Sequence, residues 1–103
     1  MIRHIVALRF SSEISETERS SIYDALRGLC DHVEGVLDFR TFRNVSPEEP
    51  VVHGFLDAFW FDFRDAAVRN AYLVHPAHQA VGARIIAATD GGPKGVFVLD
   101  VEL

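Results

Sequence analysis

The stretch Tyr72-Leu73-Val74-His75-Pro76-Ala77-His78 decides how this chain folds. A helical pattern leads into it from Asp65 and ends at Pro76, because the residue before a proline avoids helical angles. Proline also suits the first position of a new helix, with His75 at or near the N-cap. That second helix carries Ala80, Val81, Ile85 and Ile86 inward and stops before Asp90-Gly91-Gly92-Pro93. A helical connection broken at one proline therefore leads to a last strand, Gly95–Leu103. The break gathers one phenol and two imidazoles.

Upstream, Val51–Phe61 reads as a strand with His53, Phe55, Asp57, Phe59 and Phe61 on one face. Val52, Gly54, Leu56, Ala58 and Trp60 form the other. Both faces are largely apolar, so both are expected to be covered, one by helices of the chain and one by a second subunit. Ser46-Pro47-Glu48-Glu49-Pro50 is a loop, since two prolines so close defeat helix and central strand alike. Before it, Val36–Asn44 alternates Leu37, Phe39 and Thr41 with Asp38 and Arg40 as a second strand. Ser15 and Glu18 have capping-box spacing, with Glu16 adding favourable charge to the first turn. The helix that follows aligns Ile22, Leu26, Leu29 and Val33, ends near His32–Glu34, and has Gly35 as a left-handed cap. Ile2–Phe10 is the first strand, with Ile2, His4, Val6, Leu8 and Phe10 on its more apolar face.

The order strand, helix, strand, strand, helix, strand implies an α+β, ferredoxin-like domain over residues 1–103, an antiparallel sheet with helices on one face. Interleaved right-handed units give strand order 4-1-3-2. With strands 1 and 3 taken as parallel neighbours, their beginnings, His4 and His53, are expected side by side. The end of strand 4 brings Asp100 or Glu102 to the same edge, under the helix that bears His75 and His78.

Among 103 residues, 49% are apolar, which is ordinary for a globular chain. The net charge of −5, with no cluster of basic residues, argues against a nucleic-acid partner. No apolar run approaches the ~20 residues of a membrane span, and the first residues lack a signal-peptide pattern. Cys30, alone, cannot form an intramolecular disulfide, which fits a reducing, cytoplasmic setting.

The opening Ile2-Arg3-His4-Ile5-Val6, Gly35-Val36, His53-Gly54-Phe55, Ala71-Tyr72-Leu73-Val74-His75-Pro76-Ala77-His78 and Val98-Leu99-Asp100 together resemble the stress-responsive A/B-barrel (Dabb) family. The resemblance covers essentially the whole chain and implies a ferredoxin-like protomer in a homodimer whose two sheets form a barrel. It implies little about activity, because one fold hosts many functions. A plant branch, olivetolic acid cyclase, closes a linear polyketide without metal or cofactor. Its catalytic Tyr and His correspond to Tyr72 and His78, two pocket histidines to His4 and His53, and a pocket aspartate to Asp100. Ile22 and Leu26 stand where that enzyme carries aromatic side chains.

His78 can serve as a general base, since an imidazole titrates near neutrality, and Tyr72 can hold a developing oxyanion. The bland alternative is that the two satisfy each other and cap the helix junction. His4 is either a satisfied core histidine or a pocket group oriented by Asp100. A metal on His75 and His78, three apart, is a rival that Pro76 weakens; the expected reading is no metal and no cofactor. The pocket expected between helices and sheet is lined by Val6, Leu8, Ile22, Leu26 and Phe55, with His4, His53, Tyr72, His75, His78 and Asp100 as polar contacts. It would bind a small, largely apolar, carbonyl-containing ligand. The alternatives are a cofactor-independent cyclase, isomerase or lyase, and a purely structural stress-related oligomer.

Overall fold

The computed structural model describes residues 1–103. Its elements are β1 (Ile2–Leu8), α1 (Glu16–Gly28, continued as a 3-10 turn at Leu29–Asp31), β2 (Val36–Arg43), a single helical turn α2 (Glu49–Val52), β3 (Asp57–Phe63), α3 (Ala66–Val74), α4 (Pro76–Ala88) and β4 (Val96–Glu102). The four strands form one sheet in the order β2-β3-β1-β4, which is the expected 4-1-3-2.

Every neighbouring pair is antiparallel. The parallel pairing of β1 with β3 expected above is therefore wrong. After the α1 crossover β2 runs with β1, and the β2–β3 turn reverses the chain. His4 consequently faces Phe61, and the far end of β1, at Leu8, meets the beginning of β3, at Asp57. The third strand also starts six residues later than expected. Pro50 lies in the first turn of α2, and His53 (φ 54°) with Gly54 (φ 75°) turns the chain through left-handed angles before extended structure begins.

Local chemistry accounts for the helix ends. Ser15 Oγ accepts from the Glu18 amide at 3.1 Å, whereas the Glu18 carboxylate takes Arg84 at 3.0 Å, so α1 is tied to α4 there. The Asp65 carboxylate caps α3 through the Val68 amide at 3.0 Å. His75 Nδ1 accepts the Ala77 amide at 3.0 Å and caps α4, with Pro76 in the first turn as read. Gly35 has φ 94°, and a Cβ there would lie 2.5 Å from a Val68 methyl, so the turn into β2 requires glycine on both counts.

Ile22, Leu26 and Leu29 of α1, Val68 and Tyr72 of α3, and Val81, Ile85 and Ala88 of α4 pack on Ile2, Val6, Leu8, Phe59, Phe61 and Phe63 of the sheet. Of the α4 residues expected inward, Val81 and Ile85 are buried but Ala80 is exposed and Ile86 half-exposed. No helix covers the opposite sheet face. It presents Ile5, Ala7, Phe97, Leu99 and Val101, with Trp60 packed against Phe42 (4.0 Å) and the Arg3 guanidinium (4.3 Å).

Candidate functional site

Alternation along β1 points His4 and Val6 toward the helices, and the same alternation in the edge strand β4 points Val96, Val98 and Asp100 that way. No helix lies flat on that part of β4. Between it, α3 and α4 a cavity of about 340 Å³ remains, with nine apolar side chains among the thirteen residues of its wall. His4, Tyr72, His78 and Asp100 are the ionisable members.

His4 and Asp100 are direct cross-strand partners, and His4 Nδ1 lies 2.6 Å from the carboxylate. A carboxylate that only accepts places the proton on Nδ1, so in the neutral ring Nε2 carries the lone pair. The other Asp100 oxygen accepts from Arg69 at 2.7 Å. Burial pushes the Asp100 carboxyl up, but the hydrogen bonds from Arg69 and His4 outweigh it and hold the group below its ordinary value. Asp100 is thus an ionised bridge between α3 and β1.

Tyr72 is 1% exposed, its ring packed on Phe61 (4.9 Å), Phe63 (5.0 Å) and His78 (4.3 Å). Burial raises its pKa well above that of a free phenol, so it stays a hydrogen-bond donor throughout the physiological range. The two side chains meet ring to ring; His78 Nδ1 bonds instead to the Leu73 carbonyl at 3.1 Å, one turn back across the proline break. A carbonyl cannot donate, so His78 too has its proton on Nδ1 and its lone pair on Nε2. Burial lowers the His78 pKa below 6.5, which leaves the ring neutral, and therefore basic, at pH 7. Together these groups offer a phenolic donor and, on His78, an unprotonated imidazole nitrogen in a half-open apolar cavity. That set suits a carbonyl compound with an acidic proton on its neighbouring carbon.

Of the residues singled out in the sequence, the structure places His4, Val6, Leu26, Tyr72, His78 and Asp100 together at the cavity wall. Five other expected residues lie elsewhere. Leu8 and Ile22 are fully buried in the core behind the wall. His75 spends its Nδ1 on the α4 cap and turns its ring toward His32, 6.1 Å away, while His78 faces Tyr72. His53 and Phe55 sit at the opposite end of β1, where Arg9 donates to the His53 carbonyl at 3.1 Å and lies over the Phe55 ring at 5.1 Å. Antiparallel pairing, with the left-handed turn at His53, removes both from the site. Nowhere do three or more His, Cys, Asp or Glu side chains converge with metal-ligand geometry.

Phe59, Leu73, Gly82, Ile85, Ile86, Val96 and Val98 also line the cavity. Val96 and Val98 could have been found from their period-two phase with Asp100, and Gly82 from its i+4 relation to His78. Arg69 carried no sequence signal. Gly82 sits in the middle of α4, where glycine costs about 1 kcal/mol relative to alanine, and a Cβ built there would meet nothing within 4 Å.

A four-stranded antiparallel sheet with helices on one face and a histidine-lined cavity defines a ferredoxin-like α+β protein. The chain belongs to the Stress Responsive A/B Barrel Domain (Dabb) family, whose model matches residues 2–103. It is similar to a dimeric ferredoxin-like protein of unknown function from Jannaschia sp. CCS1 (29% identity, 99% of this chain and 98% of that one, TM-score 0.88). A Dabb family protein from Mesorhizobium loti shares the fold at 22% identity, 99% and 95% coverage and TM-score 0.77. So does the hydroxynitrile lyase from Passiflora edulis, at 18% identity, 99% and 92% coverage and TM-score 0.83. No curated protein sequence matches the chain.

Proposed function

We propose that this protein binds a small, largely apolar, carbonyl-containing molecule in the cavity between β4, α3 and α4. The observation that carries the reading is the half-open apolar cavity of about 340 Å³ with His4, Tyr72, His78 and Asp100 in its wall. A wall of aliphatic side chains supplies the affinity, and a few convergent polar groups fix the orientation. A purely structural role fits poorly with a cavity that the core leaves unfilled. We read the acting species as a homodimer, on the uncovered apolar sheet face and on the dimeric Jannaschia neighbour. The free Cys30 and the charge of −5 fit a cytoplasmic protein without a nucleic-acid partner.

One observation favours a second reading, a cofactor-independent enzyme acting next to a carbonyl. The Leu73 carbonyl holds His78 in the tautomer whose Nε2 can take a proton, and the Tyr72 phenol beside it can donate to the developing oxyanion. A lyase of the same fold, that of Passiflora edulis, is in keeping with this chemistry.

The test is a nuclear magnetic resonance titration with alkyl phenyl ketones of increasing chain length, following the ring signals of His4, His78 and Tyr72. Saturable shifts of these three, weakened at least tenfold in His78→Ala, are expected; shifts confined to surface residues would sink the binding reading. Exchange of the ketone's α-hydrogens for deuterium, lost in His78→Ala and Tyr72→Phe, would mark catalysis. Binding without exchange would leave a binding protein.

A further inference from the structure

We infer that Gly82 is a specificity-determining residue, whose missing side chain is what keeps the His78 imidazole open to the cavity and admits the ligand's bulk beside it. The inference rests on the cavity being the ligand site, and adds which residue sets its size at the reacting end.

Gly82 is four residues after His78 on α4, so the two share one face, with Ile85 and Ile86 continuing it; all four line the cavity. A helical side chain leans toward the N-terminus, over the residue one turn back. A side chain at 82 would therefore project toward the His78 ring, and one longer than a methyl would reach over it. The fold does not require glycine here. The residue is helical without positive φ, and open space surrounds the position of its absent Cβ. The contrast with Gly35, held by a left-handed angle and by Val68, is direct. Glycine weakens a helix interior because it gains backbone freedom on unfolding, so position 82 carries a stability penalty that packing does not explain. The space it leaves lies in the cavity, next to the imidazole whose Nε2 is unengaged.

The test measures access to His78 independently of any ligand. Diethyl pyrocarbonate carbethoxylates neutral, reachable imidazoles, and peptide mass spectrometry assigns the rate to each histidine. Exposed His32 and His53 serve as internal controls. In Gly82→Leu the His78 rate is expected to fall at least tenfold, with the controls unchanged. In Gly82→Ala a smaller fall is expected, together with a midpoint of thermal unfolding raised by about 4–8 °C, as a better helix former in free space should give. The two variants should also lose long-chain alkyl phenyl ketones before short ones in the titration above. His78 reacting at the wild-type rate in both variants would overturn the inference, as would a lowered unfolding midpoint in Gly82→Ala, which would make the glycine structural. Slowed carbethoxylation in a protein that binds none of the ketones would uphold Gly82 as the gate while rejecting the carbonyl-ligand reading.

Discussion

His78 shows how one residue's surroundings set its chemistry. Its ring is half-buried, and that desolvation, the largest influence on it, lowers its pKa from 6.5; the Leu73 carbonyl acts in the opposite sense and is outweighed. The consequence for stability has a definite sign. Well above 6.5 the ring is neutral in both folded and unfolded chains, and pH has no leverage through this group. As pH falls below 6.5 the unfolded chain takes up the proton first, so stability declines until the folded ring titrates as well. His78→Gln should therefore lose less thermal stability than wild type between about pH 7 and pH 5, and the wild-type ring should show a midpoint below 6.5 by nuclear magnetic resonance. A midpoint at or above that value would mean that desolvation does not dominate at this imidazole, and that a larger share of it is protonated near neutrality than the buried setting implies. None of this is legible in the heptapeptide alone. The sequence shows a histidine after a proline break, whereas the tautomer depends on which carbonyl the break leaves free. Tyr72 was legible as a neighbour of His78, but as a hydrogen-bonded pair; the structure packs the two rings together at a tilt of 46° instead.

At the scale of elements, two successive residues of α3, Val68 and Arg69, perform different tasks. The first is seated against the Gly35 turn, and a side chain at 35 meets both a left-handed φ and the Val68 methyls. Gly35→Ala should cost about 2–4 kcal/mol, adding left-handed strain to overpacking, measured by denaturant unfolding. A loss under ~1 kcal/mol would show that α3 shifts freely to make room. The next residue, Arg69, ties α3 to the edge strand through Asp100. That pair is partly solvated, so Arg69→Met should remove less than ~1 kcal/mol near neutral pH. The folded pKa of Asp100 is depressed, so its stabilising contribution is fully present above 3.8 and is lost as pH falls through the folded value. The stability gap between wild type and Arg69→Met should accordingly narrow as pH drops from about 6 to about 3. A gap constant over that range would mean Arg69 does not interact with an ionised Asp100.

Element order and strand order follow from spacing and handedness, and the caps at Ser15, Asp65 and His75 come from local chemistry the sequence displays. What failed is instructive in the same terms. A run such as Val51-Val52-His53-Gly54-Phe55 is apolar enough to read as strand, but His53 and Gly54 adopt left-handed angles that strand propensity does not reveal. That single misreading, with strand direction, carried His53 and Phe55 into a site at the wrong end of the sheet. His4 with Asp100 survived because a direct cross-strand pair depends only on β1 and β4 being antiparallel neighbours.

For the whole molecule, the telling feature is the side of the sheet that no helix covers. Only 20 of 103 residues are buried, because one of the two sheet faces stays open while the other carries the entire core. Phe97 and Leu99, each about half exposed, continue across Ile5, Ala7 and Ala58 to Trp60, an apolar surface a soluble monomer does not ordinarily leave bare. The charges on this face fall mainly at one end, as Arg3 with Asp62 and Asp38 with Arg40, already paired within the chain. A second copy is then the economical cover, since self-association about a twofold axis matches apolar surface to apolar surface without stranding a charge. Leu99→Arg should convert a dimer to a monomer in sedimentation analysis, with the far-ultraviolet circular dichroism of the protomer retained because the helix-side core is untouched. If wild type sediments as a monomer at tens of micromolar (about the range where weak dimers dissociate), the open face needs another partner. The cavity wall includes Val98 and Asp100 on the opposite side of the same edge strand as Leu99. Docking of that strand would therefore also stiffen the ligand site, and the monomeric variant should bind the ketone series more weakly although no cavity residue has changed.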